Sequence, residues 1–257
     1  MGRPGRLRVA FVGKGGAGKS AIAGTFARLL AREGHEVLAI DSDPMPGLAF
    51  SLGVAQSDAG IPDDAVVERV EGEEGPRFRL RPDLDASAAV EAYANVGPDG
   101  VRFLQFGKLT GHVAQLMRSQ HAFRQIVEEL PDDRWSVVGD LPGGTRQPFF
   151  GWADFAEVVL VVAEPTAKSW LSAKRLTRLA REDGTAANLL LVVNKAREAG
   201  DARLVAEMTG LTVAAVVPWD EDLAEAERRG RPPIDDAPNS GAVRAVASLV
   251  ADLTGGT

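Results

Sequence analysis

One stretch near the start of the chain constrains its folding more than any other. Val9-Ala10-Phe11-Val12 is a short apolar run, followed by Gly13-Lys14-Gly15-Gly16-Ala17-Gly18-Lys19-Ser20, and then Ile22, Phe26, Leu29 and Leu30 recur at helical spacing until Gly34. A buried strand, a glycine-rich turn and a helix in that order form the phosphate-binding loop G-x-x-x-x-G-K-[ST]. The glycines let consecutive N–H groups turn inward around a phosphate. Gly13 through Ala21 are therefore candidate nucleotide-binding residues. Lys19 can reach the β- and γ-phosphates, the Ser20 hydroxyl can hold Mg²⁺ directly, and the helix N-terminus favours an anion at the same point.

The rest of the sequence fits that unit. Apolar runs at 8–13, 36–41, 101–106, 135–140, 157–163, 188–193 and 212–217 alternate with helical patterns at 18–33, 111–130, 168–181, 199–208, 220–229 and 240–253. The alternation predicts an α/β fold: a doubly wound, mostly parallel sheet flanked by helices, as in P-loop nucleoside triphosphatases. We read residues 1–257 as a single domain, with 54–100 an irregular insertion that is acidic, then basic, and carries one short hairpin. Every motif below falls at the carboxyl end of a strand, where such sheets bind ligands.

Asp41-Ser42-Asp43-Pro44 ends the second strand. Two carboxylates facing a phosphate loop can hold Mg²⁺ through water and orient an attacking water. Trp135-Ser-Val-Val-Gly-Asp140 ends another strand on a carboxylate suited to the outer shell of Mg²⁺, and Gly143-Gly144 suits a mobile loop at a γ-phosphate. Asn194-Lys195 ends a third strand, and an Asn side chain offers a donor and an acceptor to an adenine edge. Guanine selection calls for an aspartate at position 197, where this chain has Arg197, so the expected cofactors are ATP and Mg²⁺.

Lys14, directly after the first glycine, carries the family resemblance. Only six lysines occur among 29 basic residues, and three of them are Lys14, Lys19 and Lys195. The loop K-G-G-x-G-K-[ST] resembles that of the MinD/ParA group of deviant Walker A ATPases. The resemblance implies that Lys14 reaches across an ATP-dependent homodimer to the partner's nucleotide, that Lys14, Lys19 and Asp43 serve hydrolysis, and that Pro218 lies against the base. Glu164-Pro165-Thr166 with the segment following it, 100–108 and Gly230-Arg-Pro-Pro-Ile-Asp235 are similar to the carbon-monoxide-dehydrogenase maturation ATPases of CooC type. That likeness implies a switch assisting maturation or activation of a metalloenzyme or another client. The alternative is a positioning or partition ATPase acting on DNA or a protein scaffold.

Two departures matter. The chain has no cysteine, which excludes disulfides, thiolate metal sites and iron–sulfur ligation, and with them the C-x-C pair of the CooC proteins. Met45 also stands where an Asn usually follows D-x-D-P. His112 and His121 are nine residues apart, about 180° around a helix, so one helix does not bring both to one metal. Net charge of −7 argues against broad attraction to nucleic acid or anionic membrane. Lys168, Lys174, Arg175, Arg178 and Arg181 read as a solvated helix face, and the final helix, with Val243, Val246, Val250 and Leu253 on one side, as core packing. No apolar run suits membrane insertion, and no signal peptide is legible, so the expected location is the cytoplasm.

Overall fold

The computed structural model describes residues 6–43, 47–55, 60–70, 72, 74–105, 113–144, 153–182 and 188–255. Seven strands run parallel: β1 (Arg8–Gly13), β2 (Val37–Asp41), β6 (Arg102–Gln105), β7 (Ser136–Asp140), β8 (Val158–Ala163), β9 (Asn188–Ala196) and β10 (Thr212–Pro218). A two-residue strand, β5 (Asn95–Val96), pairs antiparallel on β6, giving the order β10-β9-β8-β1-β7-β2-β6-β5. All seven strands expected from the sequence are present, in an α/β fold with a mostly parallel sheet.

The strands alternate faces as the pleat requires. Val9 and Phe11 of β1 enter one apolar cluster, with helices α1 (Lys19–Arg32), α2 (Leu48–Leu52) and α9 (Gly241–Thr254). Ala10 and Val12 enter the other, with α3 (Ala86–Tyr93), α4 (Val113–Glu129), α5 (Ala167–Glu182) and α6 (Asp201–Thr209). Because both faces are covered, the strands read as continuous apolar runs. β1 lies between β7 and β8. The chain thus winds outward in both directions from β1, whose carboxyl end is a topological switch point.

The stretch 54–100 is more regular than its composition implies. It holds the expected hairpin, β3 (Val66–Glu68) against β4 (Phe78–Leu80), but also α3 and β5. Helix α3 starts because Asp85 accepts a hydrogen bond from the Ala88 N–H at 2.7 Å. It persists because Ala86, Ala89 and Val90 bury against the sheet. The hairpin is held through Phe78, which contacts the His121 ring at 5.8 Å between centroids.

A salt-bridge hub ties this stretch and the C-terminal region to α1. The Arg28 guanidinium is buried and donates to Asp99 at 2.5 Å, to both carboxylate oxygens of Asp235 at 2.8 and 2.9 Å, and to the Leu52 carbonyl. Asp235 lies in α8 (Pro233–Asp236), which follows α7 (Glu221–Arg228). The basic residues of α5 are exposed opposite buried Ala173, Leu176 and Ala180, and Val243, Val246 and Val250 of α9 are in the core. Among the described residues no helix is long and apolar enough to cross a membrane.

Candidate functional site

The loop after β1 has the shape its glycines predict. Gly18 takes a left-handed conformation, φ 88°, as the N-cap of α1, where a Cβ would run into the Asn194 side-chain amide. At Gly13, φ 150°, a Cβ would collide with the Val162 carbonyl of β8. α1 has no side-chain cap and no acidic residue in its first turn. Its leading N–H groups and positive dipole end are therefore offered to an anion. Lys19 is buried at this point, Ala17 and Ala21 pack inward, and Gly15 and Gly16 are exposed.

Below the loop lie the carboxylates. Asp41 and Asp140 sit opposite each other in the register of β2 and β7. The Ser20 hydroxyl donates to Asp140 Oδ2 at 2.5 Å, while Asp140 Oδ1 is buried without a hydrogen-bond partner among the described residues. Burial pushes the Asp140 carboxyl up to about 6, offset by the charge of Lys19 and the Ser20 hydroxyl. Burial and the Asp140 charge push Asp41 up to about 7, offset by backbone N–H groups. Asp41 accepts from the N–H of Asp43 at 3.0 Å on one oxygen, and from Gly47 and Leu48 at 3.1 and 3.0 Å on the other. It therefore holds the backbone of Asp43 and the start of α2, a structural task its sequence position did not announce.

Asp43 is half-buried, and the Gly143 N–H approaches its carboxylate at 3.4 Å. A Cβ on Gly143 would stand 3.0 Å from the Gly15 nitrogen and 3.7 Å from the Lys19 ammonium. The loop after β7 thus rests on the phosphate loop, with half-buried Gly144 next to it. The Lys14 side chain is half-buried and makes no hydrogen bond or ion pair among the described residues. Pro44, Met45 and His112 lie outside the described residues, and His121 contacts Phe78.

The ends of β9 and β10 close the other side. Asn194 is buried and donates its side-chain amide to the Ala17 carbonyl at 2.8 Å. Lys195, at φ 58°, donates to the Gly16 carbonyl at 3.1 Å and pairs with Glu164 at 2.7 Å. Both residues brace the phosphate loop, beyond any contact with a base. Pro218 ends β10 in register with Ala196. Beside it the Arg197 guanidinium lies 4.3 Å over the Trp219 ring. That stack, the Glu164–Lys195 pair and the Arg28 hub join residues remote in sequence, and no local pattern marks them.

The donor set fits Mg²⁺. A hydroxyl, a buried carboxylate with one oxygen unpartnered, and a second carboxylate nearby supply the few protein oxygens that Mg²⁺ takes alongside phosphate and water. Among the described residues no group of three or more His, Cys, Asp or Glu could hold a metal by itself.

The loop, the helix and the Lys19–Ser20–Asp140 set define a P-loop nucleotide-binding protein. The chain belongs to the CobQ/CobB/MinD/ParA nucleotide-binding domain family, whose model matches residues 9–234. It is 31% identical over 236 residues to an uncharacterized ATP-binding protein of Methanocaldococcus jannaschii, covering 88% of this chain and 90% of that one. It is 27% identical over 235 residues to the carbon monoxide dehydrogenase accessory protein CooC of Rhodospirillum rubrum, with 87% and 88% covered. Two solved structures share the fold. The septum site-determining protein MinD of Pyrococcus horikoshii, complexed with Mg-ADP, matches at TM-score 0.70, 17% identity and 96% and 95% coverage. A ParA family ATPase of Chlorobium tepidum matches at TM-score 0.72, 17% identity and 95% and 98% coverage.

Proposed function

We propose that this chain is an Mg²⁺-dependent ATPase that works as a nucleotide-switched homodimer. The observation that carries the reading is the Ser20–Asp140 pair beneath a phosphate loop with Lys19 buried inside it. Lys19 and the uncapped N-terminus of α1 hold the phosphates, and Asn194 and Lys195 keep the loop in shape. Mg²⁺, held by Ser20 with Asp140 and Asp43 behind it, supplies neutralisation of the phosphate charge. Asp43 orients the attacking water, and its contact with the Gly143 N–H links the two loops that flank the γ-phosphate position. Lys14, whose ammonium makes no hydrogen bond or ion pair among the described residues, serves the partner's nucleotide.

The client-directed role, maturation or activation of a metalloenzyme or another protein, draws support from the likeness to CooC at 27% identity. The cysteine-free sequence separates that role from thiolate metal transfer. A positioning or partition role is the second reading, favoured by the MinD and ParA folds. Phosphate release at steady state tests the core of the proposal. Turnover that requires Mg²⁺, falls at least 100-fold in Lys19→Ala and Asp43→Ala, and prefers ATP to GTP supports it. Equal turnover in these variants, or tighter binding of GTP, overturns it.

A further inference from the structure

Helix α2 is too short to hold itself. Its five residues, Leu48–Leu52, make little more than one turn, and a helix of that length depends on its neighbours for both existence and position. Residues of α1 supply the seat. Ser20, Gly24 and Arg28 recur every four residues and so share one face of that helix. A Cβ on Gly47 would stand 3.3 Å from the Ser20 hydroxyl oxygen. A Cβ on Gly24 would stand 2.5 Å from the Ser51 Cβ and 2.9 Å from the Ser51 carbonyl carbon, so the helices touch where only a hydrogen fits. Arg28 then donates to the Leu52 carbonyl at 3.3 Å. Thus α2 lies along α1 from Ser20 to the arginine hub.

Both ends of α2 are tied. A Cβ on Gly53, just past its last residue, would stand 2.9 Å from the Pro232 ring, 3.4 Å from the Pro98 ring and 3.7 Å from the Arg28 guanidinium. Asp99 and Asp235, the carboxylates that hold the guanidinium, follow those prolines in the chain. Arg28 therefore joins three segments at the C-terminal end of α2. At the other end the N–H groups of Gly47 and Leu48 donate to one oxygen of Asp41, whose second oxygen accepts from the Asp43 N–H. A shift of α2 pulls on the same carboxylate that holds Asp43. Resting on the reading of Asp43 as the residue that orients the attacking water, we propose that Arg28 is a positioning residue for hydrolysis. By fixing the end of α2 it keeps Asp41, and through it Asp43, in place. Arg28 stands about 12 Å along the helix from Ser20, and its hydrogen bonds go to Leu52, Asp99 and Asp235 rather than to the phosphate loop. Its effect falls on turnover and not on nucleotide affinity, because a small misplacement of a group that acts in the transition state lowers the rate.

Steady-state phosphate release from the full chain, well below its melting transition, tests this, with titration of inorganic tripolyphosphate alongside. Arg28→Ala is expected to lower kcat about ten-fold with KM and tripolyphosphate affinity at parental values. Gly24→Ala leaves the hub intact, adds a good helix former and pushes on the middle of α2, so it should give the same split and decides the matter if Arg28→Ala does not fold. Arg32→Ala removes outer ion pairs to Asp99 and Asp235 but not the Leu52 contact, and should leave kcat unchanged. In an Asp43→Ala background Arg28→Ala should add no further loss, since its effect passes through Asp43. Parental kcat in folded Arg28→Ala or in Gly24→Ala, a loss carried by KM, an equal loss in Arg32→Ala, or a further loss of the same size in the Asp43→Ala background overturns the positioning role and leaves the ATP site standing. Parental turnover in Asp43→Ala overturns the reading beneath it.

Discussion

Asn194 offers the sharpest perturbation of the phosphate loop. Its side-chain amide is buried and donates at 2.8 Å to the carbonyl of Ala17, in the middle of the loop. Asn194→Ala removes that donor and leaves the carbonyl in a space closed to solvent. A net hydrogen bond contributes about 0.5–1.5 kcal/mol, and orphaning a buried partner costs about 1–3 kcal/mol. Taking about 2 kcal/mol for the loss, the ordered loop becomes about 30-fold harder to populate. A loop that must be ordered to hold phosphates passes this cost on to every ligand that uses it. Titration should give about 30-fold weaker binding of both Mg-ATP and tripolyphosphate, and the melting temperature should fall by about 4–8 °C. Asn194→Asp, nearly the same shape, places an acceptor against the carbonyl and should lose more. If Asn194 acts only on a base, tripolyphosphate affinity and melting temperature stay at parental values while ATP weakens. That pattern refutes the bracing role.

Other consequences follow from the same geometry. Asp41 in the folded protein is pushed up to about 7, above the roughly 3.9 of an unfolded chain. Its contribution to stability is therefore complete at low pH and is lost as pH rises through about 7. In urea unfolding without nucleotide, the parent should lose stability relative to Asp41→Asn between pH 4 and 8, and a difference that is flat or reversed contradicts this. Arg28→Ala strands Asp99 and Asp235, although Arg32 also contacts both. It should cost about 2 kcal/mol in urea unfolding, below the range for a fully buried pair because the carboxylates are partly exposed. Gly143→Val drives a branched side chain toward the Gly15 backbone, 3.0 Å from where its Cβ would stand. Phosphate release should fall more than ten-fold, with unfolding free energy within about 0.5 kcal/mol of the parent because Gly143 is exposed.

The strands were legible because each is an apolar run buried on both faces, and the phosphate loop because its glycines stand at fixed spacing between strand and helix. Stretch 54–100 was harder. The capping of α3 by Asp85 is a local signal, but the helix persists only through burial of Ala89 and Val90, and the two-residue β5 has no periodicity to read. Asp41 and Asn194 were singled out by sequence for Mg²⁺ and for a base. Asp41 accepts from backbone N–H groups only two to seven residues on, a local contact that no residue pattern marks, while the Asn194 bond to the Ala17 carbonyl depends on where a loop 177 residues away arrives. The Arg197–Trp219 stack and the Arg28 hub have the same character, since they join residues 22 and 207 positions apart and exist only once the sheet has formed.

The central claim is a switch made of two copies of this chain joined through ATP. Its most direct measurement is the molar mass, by light scattering with Mg-ATP, of Asp43→Ala beside Asp43→Ala carrying Lys14→Ala. The account predicts a dimer for the first, held because hydrolysis is blocked, and a monomer with ATP still bound for the second. A dimer of equal strength in both, or a monomer in both at saturating ATP, contradicts it.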